Sequence, residues 1–443
     1  MATHGLPRVL WKASLPIIFV EATETLDHLI DTLFLSHVGV TELGAIAVAD
    51  ALLLLFLIPA LALVHAVQIL TARRVGQHRP SAVGAVFNQG FLLVLLVSVT
   101  ATVALKLLSP VLTHWLVGSQ AVGKAVNDYL QIDAYSIPLA GATFAYGALL
   151  TSLGKTRALI PATIILAIVD IVLNDLFIFG KHGCPALGMR GAAVGSIGAE
   201  LAAAVFLTVY VWRRFRSEPY GFFHFRKFDR VTTRLMNLIS APIAAQDALE
   251  NLRWFVFFLI IERMGTQALA TANIVYTCFI VFWVPTAGFA ETTCSMVSRY
   301  IGSNRAHRIG RVLRGTTAGA ILATAPFIAV ALLAPQWLVA VFASEPDLLG
   351  QSNASLRVVA LAMLIAIPGE LWFTAVIGAG DTAASLGIEA LLTLVMLGFT
   401  YLAAIHFAWP MAAVWLAVPI TWLIGLIVSY SWMRSGIWKR LEI

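Results

Sequence analysis

The chain has 443 residues, of which 60% are hydrophobic and 12% charged, with a mean hydropathy of +0.88, whereas a soluble domain carries about 25% charged residues. Such a chain cannot hide its apolar surface in a water-soluble globule, so the bilayer is its solvent. The net charge of +6 does not imply a nucleic-acid partner, because the basic residues sit in short loops beside apolar runs. Cys184, Cys278 and Cys294 are widely spaced and form no CxxC pair, which implies neither a zinc site nor a disulfide framework.

In chain order, apolar runs near the roughly 20 residues that cross a bilayer as a helix predict spans at 13–36, 45–72, 83–108, 129–153, 158–180, 191–212, 238–262, 269–298, 315–342, 353–378, 384–408 and 412–433. The fold class is therefore all-α membrane protein with twelve transmembrane helices. Arg8 and Lys12 precede the first span, but no small-residue cleavage site follows, so no removable signal peptide is expected. Of the 29 Lys and Arg, 22 fall at the termini or in loops after even-numbered spans, including Arg73, Arg74, Arg226, Lys227 and Arg299. The positive-inside rule makes those loops and both termini cytoplasmic.

Residues 14–84 align without a gap to 240–310, at a constant offset of 226. The alignment pairs Ser14 with Ser240, Pro16 with Pro242, Glu24 with Glu250, Gly39 with Gly265, Pro59 with Pro285 and Arg73 with Arg299. Two unrelated apolar helices would match Leu and Ala by chance, but rarely Pro, Gly, Arg and Glu together, so the duplication is real. The predicted organisation is an N-terminal six-helix lobe at 1–212, a basic cytoplasmic linker at 213–237 and a C-terminal six-helix lobe at 238–443. Six spans per half is even, so the lobes are parallel repeats, and a site between them can alternate by rocking.

The first span carries Glu21, Glu24, Asp27, His28 and Asp31, which at about 100° per residue fall inside an arc of about 120°. The opposite face is Ala22, Leu26, Leu29, Ile30 and Leu33. A charge at the bilayer centre costs at least about 2.5–3.5 kcal/mol, so the acidic face must look into a polar cavity or at partners. The repeat partner places Asp247, Glu250 and Arg253 on one face as a partly self-neutralised cluster. Asp170, Asn174, Asp175, Ser196 and Glu200 in the first half, and Glu291, Glu370 and Glu389 in the second, are further polar residues inside spans. Each isolated acid can equally be a packing ion pair, but four carboxylates on one helix with no Lys or Arg cannot neutralise themselves locally. Clustered carboxylates in a low-dielectric cavity lose hydration and repel one another, which favours bound protons, and an arriving cation reverses that preference. Converging Asp, Asn and Ser oxygens would equally suit a hard cation such as sodium. The coupling ion is therefore proton or sodium.

The stretches SLPIIFVEATETLDHLIDTLFLSHVGVTELGAIAVAD, SAPIAAQDALENLRWFVFFLIIERMGTQALATANIV and LIPATIILAIVDIVLNDLFIFG followed by GMRGAAVGS resemble the multidrug and toxic compound extrusion (MATE) family, most closely its prokaryotic, DinF-like branch. The resemblance spans essentially the whole chain. It implies two six-helix lobes around a central cavity, and export of organic cations against proton or sodium entry. Asp31 matches the family's acidic residue of the first helix. Asp170 and Asn174 carry the carboxylate and amide of its fifth helix in exchanged order, and Ser196 replaces a threonine. Glu250 matches the glutamate of the seventh helix, and Asp381 in GAGDT an acidic residue at the end of the tenth. The resemblance thus assigns Asp31, Asp170, Asn174 and Ser196 to the coupling cation. Glu21, Glu24, Asp27, His28, Asp247, Glu250, Arg253 and Asp381 would serve the substrate or second-lobe cavity. The surplus acids Glu21, Glu24 and Asp27 would suit a strongly basic substrate, and Tyr135, Phe144, Tyr146, Trp254, Tyr276, Trp283 and Trp372 could supply cation–π walls or ordinary packing.

A flippase for a lipid-linked precursor is the nearest rival, but an anionic headgroup calls for an Arg-rich cavity and Arg253 is the only mid-span arginine. A membrane enzyme is disfavoured because HExxH, DDxxD and GxSxG do not occur in a plausible context. The expected protein is a non-enzymatic, multi-pass, monomeric antiporter of a prokaryotic plasma (inner) membrane, with a small organic cation as substrate, no cofactor and no nucleic-acid partner.

Overall fold

The computed structural model describes residues 5–224, 228–342 and 346–440. Every regular element among them is helical, because a chain in lipid has no water for its backbone groups and must satisfy them within each segment. The first half comprises α1 (Leu6–Ser36), α2 (Val40–Gly76), α3 (Pro80–Leu116), α4 (Gln120–Asp133), α5 (Ser136–Leu153), α6 (Leu159–Phe179) and α7 (Met189–Phe215). The second comprises α8 (Arg230–Glu262), α9 (Thr266–Gly302), α10 (Ile309–Leu333), α11 (Pro335–Val339), α12 (Pro346–Gly378), α13 (Thr382–Tyr401), α14 (Met411–Val414) and α15 (Ala417–Ser435).

Among the described residues, ten helical segments are long and apolar enough to cross a bilayer. α1 and α8, at 31 and 33 residues, have the length but are too polar to meet the same test, and they complete the twelve spans. The outward faces are apolar, as lipid requires. On α3, Leu96, Val99, Val103 and Leu107 are exposed, while Val94, Ser98, Ala101 and Leu105 are buried.

Two of the predicted runs are broken in the structure. The run at 129–153 is broken between Asp133 and Ser136, and α5 alone is the span; Pro138, which has no N–H to donate, falls in the first turn of α5, where none is needed. The run at 315–342 stops at Leu333, because Pro335 cannot continue α10 and instead opens the five-residue α11.

The duplication is visible in the backbone. α2 and α9 have bounds that differ by the same 226 residues at both ends. Repeat partners His78 and Asn304 both take positive φ, 56° and 54°, and Gly154 and Gly380 take 68° and 85° in equivalent turns. After those glycines, Lys155 N donates to Leu150 O and Asp381 N to Val376 O.

Packing groups Phe19–Ala244 into one compact unit, and the described residues up to Ile18 with those from Ala245 onward into another. The first of these units takes in the described residues of the predicted 213–237 linker, and the cuts fall within α1 and α8. Both helices contain a proline near the cut, Pro16 and Pro242, which removes an i→i−4 bond and permits a bend. Each unit has its own apolar core, around Leu35, Leu105 and Leu130 in one and Phe257, Phe282 and Trp415 in the other.

In the first unit the connection into α8 folds onto α3. Asn88 Nδ2 donates to Gly221 O at 2.9 Å, Asn88 Oδ1 accepts from Phe223 N at 3.0 Å, and Gln89 Nε2 donates to Asp229 O at 2.8 Å. Asp229 caps α8, and hydrogen bonds from the Thr232 hydroxyl and backbone hold its carboxyl below the usual carboxylate range. Arg226 and Lys227, assigned from sequence to the cytoplasmic linker, lie outside the described residues.

Candidate functional site

The site is set by how closely α7 approaches α6. Gly191, Gly195 and Gly198 recur along one face of α7, and a Cβ at each would collide with Phe177, Asn174 Oδ1 and Leu173 respectively. Small residues at this spacing let helix backbones come together in lipid, where no hydrophobic force would otherwise do so. The approach seals the middle of α6 from solvent, so that Asp170 is 2% exposed and Asn174 0%.

Asn174 then joins two helices. Its Nδ2 donates to Asp31 Oδ1 on α1 at 2.7 Å and to Asp170 Oδ2, one turn back on α6, at 2.6 Å. Its Oδ1 is buried and has no hydrogen-bond partner among the described residues. Two carboxylates therefore converge on one amide, beside an acceptor oxygen left free to receive a cation or a donor. Ser196, the fourth predicted ligand, follows Gly195 on α7; its hydroxyl donates to Ala192 O at 3.2 Å and lies within reach of Tyr129. The structure thus brings three of the four predicted coupling residues together and leaves the hydroxyl beside them. The donor set is entirely hard oxygen, which suits a proton or sodium. Among the described residues no group of three or more His, Cys, Asp or Glu could hold a metal ion.

Around this bridge lies a wider acidic field. Asp31 is within electrostatic range of Asp27 and Asp50, and Glu24 of Asp27 and Glu200. Asp27 Oδ1 is buried without a hydrogen-bond partner among the described residues, whereas Glu200 accepts from the Thr143 hydroxyl at 3.0 Å. His28 is exposed at the edge, facing Asp27 and Asp50. Leu26, Leu29 and Leu33, on the predicted apolar face of α1, are indeed exposed, while Glu21 and Glu24 are half-buried. Two members were missed from sequence. Asp50 is the lone charge inside the apolar run of α2, a pattern that by itself marks an interior acid. Asp133, 1% exposed, ends α4 and faces Tyr129 and Ser136, and resembled a helix-terminal residue. Asp175 stands apart, paired with Lys181 at 2.6 Å near the end of α6.

In the other unit the acids are largely spoken for. Arg253 is buried against Glu389 of α13 and reaches Glu250 only at 3.5 Å. Glu370 accepts from the Thr374 hydroxyl at 2.8 Å. Asp247 is half-buried on the same helix as Glu250. Asp381, assigned by resemblance to a cavity, is the N-cap of α13: Oδ1 accepts from Ala384 N at 3.3 Å and Oδ2 from the Trp432 indole at 3.0 Å. Both of its carboxylate oxygens are thus engaged at a helix start, within the GAGDT turn.

Twelve spanning helices and an internal duplication in one register, with a buried carboxylate–amide bridge inside the first unit, define a polytopic α-helical membrane protein built as a tandem repeat. The chain belongs to the MatE family, whose sequence profile matches residues 16–176 and 242–402, two stretches separated by the same 226 residues. It is 25% identical over 284 residues to the probable multidrug resistance protein NorM of Synechocystis sp., a match covering 63% of this chain and 61% of that relative. It is 24% identical over 420 residues to the uncharacterized transporter YisQ of Bacillus subtilis, covering 92% of this chain and 90% of that one. In fold it is similar to a multidrug resistance MATE family transporter of the MOP superfamily solved in an outward-facing conformation, with a TM-score of 0.89 at 18% identity, over 97% of this chain and 96% of the other.

Proposed function

We propose that this chain is a secondary antiporter that exports organic cations across a prokaryotic plasma membrane in exchange for protons or sodium, by alternating access of its two lobes. The observation that carries the reading is the bridge in which Asn174 holds Asp31 and Asp170. Two carboxylates so close together in a low-dielectric interior are poorly tolerated when both are ionised and nothing else is bound. A coupling cation relieves that repulsion, and so does an organic cation near Glu24, Asp27 and Glu200. Inward ion flow and outward substrate flow thus compete for one negative field, and a carrier that reorients only with one of them bound exchanges the two. Asp31, Asp170, Asn174 and Ser196 would serve the coupling ion, and the remaining acids of α1 the substrate.

The names of relatives, several of which are called multidrug resistance proteins, support this substrate class. The flippase alternative draws less support, since Arg253 is committed to Glu389 and offers no free guanidinium to a pyrophosphate. A transport role, one chain acting alone and both termini in the cytoplasm complete the reading, which includes no catalytic step.

The test is efflux of fluorescent organic cations from proteoliposomes, driven separately by a pH gradient and a sodium gradient, with the intact chain and with Asp31→Asn. Transport under one gradient, lost in the variant, supports the reading and names the ion. No transport under either gradient would overturn it.

A further inference from the structure

The connection from α7 to α8 carries a concentration of cations to which the transport reading gives no role. Arg213, Arg214 and Arg216 lie at the end of α7, and Arg230 and Arg234 at the start of α8, all of them exposed. The two groups are apart in the chain, but α3 brings them together. Asn88 holds the α7 side through Gly221 O and Phe223 N, and the adjacent Gln89 holds the α8 side through the backbone of Asp229 and the Thr233 hydroxyl. Between them Phe222 is buried, its ring 5.6 Å from Phe87, 5.6 Å from Phe215 and 5.1 Å from Tyr220. Two successive residues of one helix thus pin both ends of the connection to the same place.

Little of this charge is balanced locally. Arg214 approaches Glu218 at 3.6 Å, longer than the roughly 2.7–2.9 Å of a charge-assisted hydrogen bond, and the Asp229 carboxylate is occupied in capping α8. Arg213, Arg216, Arg230 and Arg234 have no carboxylate partner among the described residues. Arg230 and Arg234 also stand at the positive end of the α8 dipole, where a cation weakens a helix instead of supporting it. Membrane orientation asks only for positive charge in the connection, not for charge at that helix start. The arginines are flanked by the exposed apolar side chains of Trp212, Phe228, Val231 and Leu238. A cavity of about 400 Å3 opens between α3 and the connection, with Gln89, Leu92, Tyr220 and Phe228 in its wall.

We infer that this face is a docking surface for an anionic phospholipid, with the phosphate on Arg213, Arg216, Arg230 and Arg234 and the head group against the cavity. The ends of α7 and α8 leave the hydrocarbon at head-group level, where basic residues attract anionic lipid. A free phosphate would satisfy the arginines alone, whereas a lipid also covers the apolar side chains set among them. The inference goes beyond the export reading and does not depend on it.

The test is native mass spectrometry of the purified full-length protein with phosphatidylglycerol, with phosphatidylcholine and with soluble glycerol phosphate. Phosphatidylglycerol should bind at least about tenfold more tightly than phosphatidylcholine. An arginine at a membrane surface contributes about fivefold in affinity for anionic lipid, so Arg230→Gln with Arg234→Gln should weaken binding by about 10- to 30-fold. Arg311→Gln with Arg314→Gln removes the same charge from exposed positions at the start of α10, in the other unit, and should leave binding unchanged. Asn88→Leu alters no charge but frees the connection from α3, and should weaken binding by about 3- to 10-fold. The exposed arginine pair keeps the test independent of any folding defect in Asn88→Leu. Equal binding of the two lipids, glycerol phosphate binding as tightly as lipid, or an equal loss in the α10 variant would overturn the assignment. Unchanged binding in a folded Asn88→Leu would also overturn it, since the arginines would then act as separate surface charges rather than as an assembled site.

Discussion

Arg253 on α8 and Glu389 on α13 form a buried ion pair that joins residues 136 positions apart in the chain. Removing one partner of such a pair strands the other charge, at a cost of about 3–5 kcal/mol, whereas replacing both with apolar residues is often neutral. We expect Glu389→Gln to lower the thermal stability of the detergent-purified protein strongly, and Arg253→Met with Glu389→Met to recover most of the loss. Glu250→Gln, at a half-exposed position, should change stability by less than about 1 kcal/mol. A double variant as unstable as the single one would show that the pair does more than satisfy itself.

Asn174 supplies two charge-assisted hydrogen bonds in the first unit. Each is worth about 1.5–3 kcal/mol, so Asn174→Ala should reduce gradient-driven efflux by about ten- to a hundredfold while the protein still inserts and purifies. Counterflow in proteoliposomes measures this directly; efflux within twofold of the parent would remove Asn174 from the coupling site.

Gly195 is the point at which α7 meets the Asn174 side chain. Gly195→Val should cost about 1–3 kcal/mol through overpacking and should also impair efflux, because it displaces a member of the bridge. Gly147, on α5, has open space where a Cβ would go, and Gly147→Ala should be neutral or stabilising by a few tenths of a kcal/mol. Paired thermal-unfolding curves separate the two; equal shifts would contradict the close approach.

The connection into α8 should respond to pH through Asp229. Its carboxyl is depressed by the Thr232 hydrogen bonds, so the capping contribution is present at neutral pH, above the unfolded-state value. It is lost as pH falls through the depressed folded-state value. Limited trypsin digestion between Arg213 and Arg230 should accelerate with Asp229→Ala and with Asn88→Leu, which removes the anchor on α3. A digestion pattern identical to that of the parent in both variants would show that these contacts do not hold the connection down.

Much of the site was legible in the chain, because charge inside an apolar run is a local signal. The acidic face of α1 and the residues Asp170, Asn174 and Glu200 could all be found that way, and Asp50 carried the same signal. Other features were not local. Asp381 sits in a turn whose sequence matches a family motif, yet its carboxylate is consumed by Ala384 N–H and the Trp432 indole, 51 positions away. Glu389 was indistinguishable from a functional acid until its partner across α8 was known.

The sequence by itself determined the number of spans, the duplication at an offset of 226 and the apolar and acidic faces of α1. Hydropathy and helical periodicity are properties of neighbouring residues and need no fold to express them. Only the tertiary structure decided which acids act together. Asn174 on α6 reaches Asp31 on α1 across 143 positions, the glycines of α7 bring that helix against the same stretch of α6, and Arg253 finds its buried partner because α13 delivers Glu389. Such pairings depend on how closely helices approach, a distance set by side-chain volume on two surfaces at once, which neither surface reveals alone.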